Sequence, residues 1–221
     1  PYRQARRLDA KLYQNVKTEL AYFKENAKDL FDLPEKERFH TYYIPKKDGG
    51  RRRIDEPIPR LMQMLSELRV FFEDTLKMLP HNAAYAYRKN VCTLDALKVH
   101  QAQKNKWFMK TDFHNFFGST TLDNVMLGLE KLYPTGILFA WDKELKCEMR
   151  DVLSLAFLNG TLPQGTPISP LLTNLVMVPV DYKLSKQLEK MGVTYTRYAD
   201  DMQFSSKEKI NMREVEDTLY K

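Results

Sequence analysis

Cysteine is nearly missing from this sequence: there are two in 221 residues, Cys92 and Cys147. Their spacing matches no metal-ligand pattern, and so sparse a usage reads as that of a reduced, intracellular protein. Long apolar runs are missing too. No stretch reaches the length of a membrane span and no signal-peptide pattern is present, so no membrane is expected among its partners. There is no internal repeat and no low-complexity linker. The first residue is Pro1 rather than Met, and Lys221 falls inside a helical pattern, so both ends read as cut from a longer chain. What is present is globular material: 43% of residues are hydrophobic, enough for one large domain or two small ones. The net charge is +6 and the pI about 9.1. That moderate basic excess suits a polyanion partner without demanding one.

The densest signal lies late in the chain, at Tyr198, Ala199, Asp200 and Asp201. Residues 193–199 are β-branched, aromatic or small apart from Arg197, and Met202, Gln203 and Phe204 resume an extended pattern. Two short strands with the acidic pair at the turn between them are predicted. No basic residue adjoins the pair, and crowded carboxylates repel unless a cation lies between them. An isolated Asp-Asp also makes turns in its own right.

From the beginning, residues 2–31 carry a helical stripe at Leu8, Leu12, Val16, Leu20, Phe23, Ala27, Leu30 and Phe31. The opposite face is basic, with Arg3, Arg6, Arg7 and Lys11. Residues 40–57 read as a hairpin around Asp48, Gly49 and Gly50. It gathers Lys46, Lys47, Arg51, Arg52 and Arg53, with Arg51 and Arg53 on one face and Arg52 on the other. Either a phosphate-rich ligand balances these cations or they guard a solvated edge. Residues 58–79 predict an amphipathic helix, residues 83–90 an aromatic and basic loop, residues 93–103 a helix, and residues 106–112 a strand ending in Asp112. An aromatic-rich turn with Phe113, Phe116 and Phe117 follows. Helices are predicted at 121–132 and 141–158, with a loop between them at Pro134 and Gly136. The loop 159–170 is rich in Gly, Pro and Thr, and Gly165 in it permits close approach of a backbone or ligand. Ser169 and Pro170 read as an N-cap and first-turn proline. They open a helix to Lys190 with Leu172, Leu175, Val176, Val180, Leu184 and Leu188 inward and Pro179 as a candidate kink. A last helix begins at residue 211.

Asp112 at a strand end and Asp200 and Asp201 at a hairpin tip are the three acidic positions whose surroundings would place them in one sheet. Such carboxylates can bind two Mg²⁺ ions about 4 Å apart that clamp an in-line phosphoryl transfer.

Taken in order, these motifs resemble those of the reverse transcriptases, in particular the bacterial group II intron and retron-like branch, over roughly residues 42–206. Ile44 to Ile54 is similar to the family's fingertip motif, and Tyr85 to Arg88 to the next fingers motif, with Ala86 where glycine is usual. Asp112 with Phe116 and Phe117 resembles the first catalytic palm motif, Leu162 to Pro170 continuing to Asn174 the loop lining the nucleotide pocket, and Tyr198 to Asp201 the signature box. The resemblance implies an α+β right-hand polymerase with an antiparallel palm sheet flanked by helices. Fingers would occupy residues 1–104 and the palm 105–221, incomplete at its C-terminus and with finger-like helices at 121–158; the thumb would lie beyond this chain.

The same resemblance implies an RNA-directed DNA polymerase. Asp112, Asp200, Asp201 and the backbone carbonyl of Phe113 would hold two Mg²⁺, with Mn²⁺ as the alternative ion. Lys46 and Arg52 would contact the incoming triphosphate. Phe116, or Phe117 in the other register, would be the steric gate against a 2′-hydroxyl. Gln164 and Gly165 would line the nascent base pair and Tyr198 the primer end, with Arg51, Arg53, Tyr87 and Arg88 on nucleic acid. The implied partners are an RNA template, a DNA or RNA primer, dNTPs and a cognate structured RNA, in the bacterial cytoplasm, within a retroelement or an antiviral defence system. The 162–170 loop is closer to retron and abortive-infection enzymes than to the intron pattern, yet residues 96–100 miss the spacing of the retron Asn-Ala-X-X-His motif. Three readings compete: an idle or partner-dependent RNA-binding scaffold, an RNA-templated RNA polymerase, and an abortive-infection enzyme that polymerises DNA without a template.

Overall fold

The computed structural model describes residues 2–47, 49–132 and 135–219, with side chains from residue 10 onward. Asp48 and Pro134 therefore lie outside the described residues, as do the side chains of Arg3, Arg6, Arg7 and Leu8. In chain order the elements are α1 (Tyr2–Asn26), α2 (Lys28–Asp32), β1 (Phe39–Pro45), β2 (Arg51–Pro57), α3 (Pro59–Val70), α4 (Thr93–Ala102) and β3 (Trp107–Asp112). There follow α5 (Leu122–Glu130), α6 (Gly136–Trp141), α7 (Lys143–Ser154), α8 (Ser169–Lys190), β4 (Val193–Tyr198), β5 (Asp201–Ser206) and α9 (Met212–Leu219). They sort into two compact units, residues 1–79 with 117–173, and residues 80–116 with 174–221.

In the first unit the stripe on α1 is buried at Val16, Leu20 and Phe23, and Ala27, between α1 and α2, is buried with them. The stripe packs against α7, whose Leu145, Met149 and Val152 are equally buried. Phe23 meets Phe71 edge-on at 5.6 Å. Each such side chain withdrawn from water contributes roughly 1.5–3 kcal/mol. The helix expected over 58–79 runs as α3 only to Val70 and ends in a π-turn, Phe71–Thr75. There the Leu76 N–H reaches back five residues to the Phe71 carbonyl at 3.0 Å, and the Thr135 hydroxyl donates to the freed Leu76 carbonyl at 2.9 Å. The loop expected between 132 and 141 contains α6. Gly136 makes this possible: a Cβ there would stand 2.4 Å from the Leu129 carbonyl oxygen, so only glycine lets α6 start so close to α5. Phe139 then fills the core with no exposed surface.

The second unit is built on an antiparallel sheet in the order β3-β5-β4. Register pairs share a face, so the pairings Tyr195↔Phe204 and Met109↔Phe204 set Val193, Tyr195, Arg197, Met202, Phe204 and Met109 on one side. That side packs on α8 and α9 through Leu184, Leu188 and Val215. The other side carries Thr196 and Ser205, and α4 covers it with His100, whose ring nitrogens lie 2.5 Å from the Ser205 hydroxyl and 2.8 Å from that of Thr196.

Two expectations for α8 need correction. Its first helical residue is already Ser169, and the cap is the Thr166 hydroxyl, which accepts the Ser169 N–H at 3.1 Å. Val180, expected inward, is 40% exposed, whereas its neighbour Asp181 is fully buried. The helix continues through Pro179. Among the described residues no helix is long and apolar enough to cross a membrane.

Candidate active site

The second unit's sheet ends where its acidic residues begin. Asp112 is the last residue of β3 and Asp201 the first of β5, and the two are direct register partners. The next pair along, Phe113 and Asp200, is hydrogen-bonded, the Phe113 N–H donating to the Asp200 carbonyl at 3.1 Å. Hydrogen-bonded and open pairs alternate, so Asp112 and Asp201 form an open pair, the kind in which side chains approach most closely. Asp200 lies in the two-residue turn between Tyr198 and Asp201. Ala199, the first turn residue, has φ +57°, the sign demanded at that place by a primed hairpin turn.

The expectation that the acidic pair has no basic partner holds only along the sequence. Lys110 Nζ stands 2.9 Å from Asp201 Oδ1. Lys110 is two residues before Asp112 on the same strand, so it shares the face of Asp112 and is diagonal to Asp201. The hydrogen bond to Asp201 holds the Lys110 ammonium above its ordinary range, followed by the Asp201 charge and then those of Asp112 and Asp200. All three carboxylates thus act on one cation. The signal for Lys110 was available in the two-residue period of a strand.

Among the described residues, no group of three or more His, Cys, Asp or Glu side chains converges to hold a metal ion. Asp201 is engaged by Lys110 instead. The cluster's chemistry nonetheless fits a hard divalent cation. Its donors are all oxygen, as Mg²⁺ and Mn²⁺ prefer, and three carboxylates outnumber one ammonium.

Around the turn, Tyr198 is 38% exposed and shares the face of Asp201, its register partner. Phe116 is buried and stacks on Phe113 at 5.7 Å. Tyr87, with φ +59°, is half exposed, and Arg88 donates to the Ala84 carbonyl at 2.9 Å. Beneath the turn, Arg197 has no exposed surface and pairs with the equally buried Asp181 at 2.7 Å. Asp181 escaped the sequence reading because a single acid beside an apolar stripe looks like the helix's wet face.

The first unit holds a second constellation. In the β1–β2 hairpin Tyr43 pairs with Arg53 and Ile44 with Arg52, so Arg51 and Arg53 share one face and Arg52 the other. Arg53 Nε bonds Asp55 Oδ1 at 2.9 Å, and the Thr41 hydroxyl bonds the same oxygen at 2.6 Å. Arg51, Arg52 and Lys46 are exposed. The hairpin carries the loop on its second strand: the Asp55 N–H donates to the Gln164 carbonyl at 2.7 Å. Gly165, at φ +126°, lies so close that a Cβ would stand 2.8 Å from the Asp55 carbonyl oxygen and 3.0 Å from Ile54 Cγ2. Gln164, Gly165 and the strand bearing Arg52 are therefore brought together. Phe117 belongs to this unit, and Asp112, Phe113, Phe116, Tyr198, Asp200 and Asp201 to the other.

Residues 44–221 match the family described as reverse transcriptase (RNA-dependent DNA polymerase). The retron Ec73 reverse transcriptase of Escherichia coli is 33% identical over 199 residues, covering 87% of this chain and 60% of that protein. The retron Mx162 reverse transcriptase of Myxococcus xanthus is 32% identical over 174 residues, covering 75% of this chain and 35% of that protein. The chain thus spans less than two thirds of the length of either relative. Among solved structures, apo telomerase from Candida tropicalis, truncated from the C-terminal domain, superposes with a TM-score of 0.54 at 13% identity, over 86% of this chain and 47% of that one. Telomerase from Candida albicans, in complex with a TWJ fragment of telomeric RNA, gives 0.54 at 11% identity, over 85% and 41%. At these identities the likeness concerns the fold, which is the α+β right-hand polymerase class.

Proposed function

This chain belongs to the reverse transcriptase family of RNA-dependent DNA polymerases, and on that premise we propose that it adds dNTPs to a primer 3′-hydroxyl as directed by an RNA template. The observation that carries the reading is the open pairing of Asp112 with Asp201 at the end of the sheet, with Asp200 in the adjoining turn. These carboxylates and the Phe113 backbone carbonyl would hold two Mg²⁺, or Mn²⁺ in their place. Bound there, the ions supply Lewis-acid stabilisation of the charge that develops in phosphoryl transfer.

The chain's own residues do the rest. Lys46 and Arg52 neutralise the triphosphate, Arg52 as a planar fork suited to phosphate oxygens. Gln164 and Gly165 line the nascent base pair; the tie between the Gln164 carbonyl and the Asp55 N–H supports a fixed loop. Phe116 excludes the 2′-hydroxyl, which its burial and its stacking on Phe113 support, since a gate must not yield. Arg51, Arg53, Tyr87, Arg88 and Tyr198 serve the nucleic acid. Fingers are assigned to residues 1–104 and palm to 105–221. The retron relatives favour a bacterial retron-type system, hence the cytoplasm and a cognate structured RNA as further partner.

The test is primer extension on an RNA template with Mg²⁺ and dNTPs, using the full-length protein beside its Asp200→Ala variant. Template-dependent DNA from the unmodified protein alone is the expected result. A folded protein that binds RNA and extends nothing would replace this reading with that of a scaffold.

A further inference from the structure

Arg197 is the largest fully buried side chain among the described residues, and it sits two positions before the acidic turn's first residue. Its Nε and Nη2 engage Asp181, at 3.0 Å to Oδ1 and 2.7 Å to Oδ2. Asp181 Oδ1 also accepts the Tyr195 hydroxyl at 2.8 Å, so the carboxylate is well satisfied. The remaining nitrogen, Nη1, reaches outward: it donates to Asn174 Oδ1 at 3.0 Å and to the Ala199 carbonyl at 2.7 Å. Asn174 in turn donates to the Ala86 carbonyl at 2.9 Å. The backbone of Arg197 is held as well, its N–H on the Ala83 carbonyl at 2.7 Å and its carbonyl taking the Tyr85 N–H at 2.8 Å. The guanidinium carbon Cζ lies over the Phe116 ring, 5.8 Å from its centre.

Ala199 is the informative end of this network. A non-glycine residue at φ +57° is held there by its surroundings rather than by preference. The Arg197 bond is made to that residue's own carbonyl, the peptide that leads directly into Asp200. A buried ion pair is seldom a net source of stability, because apolar partners of like volume often serve as well, whereas removing one member strands a charge. Its usefulness here lies in geometry: the planar fork fixes four acceptor oxygens at set angles.

We propose that Arg197 is a positioning residue that, locked by Asp181 and Asn174, sets the Ala199–Asp200 peptide and with it the aim of the turn's carboxylates. The proposal rests on the polymerase reading for its consequence in turnover, but not for its consequence in cation binding.

The test is the double variant Arg197→Met/Asp181→Leu in the full-length protein, which removes both charges at once and leaves none stranded. Its thermal midpoint should fall by the cost of the partners lost to the Tyr195 hydroxyl, Asn174 Oδ1 and the Ala199 carbonyl, with the protein still folded at the assay temperature. Its kcat for primer extension should fall roughly 10²-fold, the scale of a ~1 Å misplacement, with the dNTP KM within about two-fold. Mn²⁺ titrated into the nucleic-acid-free protein and followed by electron paramagnetic resonance should bind about tenfold more weakly. A folded double variant with unaltered kcat and unaltered Mn²⁺ affinity overturns the proposal. Should that variant not fold, Arg197→Lys keeps the charge and loses the fork, and the same two readings decide. If the unmodified protein extends no primer, the polymerase reading fails, and the Mn²⁺ titration alone decides: equal affinity overturns the positioning role, and weaker binding in the variant supports it.

Discussion

Replacing Gly165 by alanine tests how the 162–170 loop is held against the hairpin strand. At φ +126° an L side chain is strained, at about 1–3 kcal/mol. The new Cβ would also meet the Asp55 carbonyl oxygen at 2.8 Å and Ile54 Cγ2 at 3.0 Å. The Ile54 methyl can turn aside, but the Asp55 carbonyl is backbone. The Asp55 N–H is itself tied to the Gln164 carbonyl at 2.7 Å, so the strand recedes only by giving up that bond, worth about 1 kcal/mol. Together these give a destabilisation of about 2–4 kcal/mol, or a fall in Tm of about 5–15 °C for a chain of this size. Gly160→Ala is the matched control. Gly160 also has positive φ, +77°, but nothing lies within 4 Å of its Cβ position. Only the conformational cost of about 1 kcal/mol should remain, or about 2–4 °C. Thermal unfolding of both variants by circular dichroism provides the comparison. Equal shifts would refute the close approach, because conformation alone would then account for both.

Three further outcomes are expected. Arg52→Ala should raise the dNTP KM while leaving primer–template affinity unchanged; a loss of primer–template binding in a gel-shift titration would reassign this arginine to nucleic acid. Phe116→Val should admit ribonucleotides in competition with dNTPs while Phe117→Val should not, and the reverse result moves the gate to Phe117. Burial holds the His100 imidazole below its ordinary range. The unfolded chain therefore takes up the proton first, so the stability contributed by neutral His100 is complete above about pH 6.5 and is lost as the pH falls from there. Tm should drop as the pH falls below about 6.5, and His100→Gln should flatten that slope; an identical slope in the variant would remove His100 from the account.

Local periodicity made much of this molecule legible. The face division of Arg51, Arg52 and Arg53 follows from the two-residue repeat of a strand, and the register bears it out. The buried stripe of α1 follows from the helical repeat. The hairpin carrying Asp200 and Asp201 was readable from its β-branched and aromatic flanks, and β3 from its short run up to Asp112. The adjacency of those two elements in one sheet was an inference from composition that the pairing Asp112↔Asp201 made definite. Boundaries fared worse where packing overrode pattern: α6 exists because Gly136 lets two backbones approach, and α3 gives way at Val70 to a π-turn in which the Leu76 N–H reaches the Phe71 carbonyl.

By itself, then, the sequence determined which residues face together along each element, because side-chain direction is a local consequence of backbone repeat. It also carried the ordered motifs of the family, because chemistry constrains residue type position by position. Tertiary structure alone decided which charges are partners. Lys110 meets Asp201 from another strand, and Arg197 meets Asp181 from another element. Hydropathy reads a buried ion pair as two surface residues, and nothing local distinguishes an acid that faces water from one that faces a guanidinium sixteen residues away. Only the burial of both groups in one core, where an unpaired charge could not remain, identifies them as a unit.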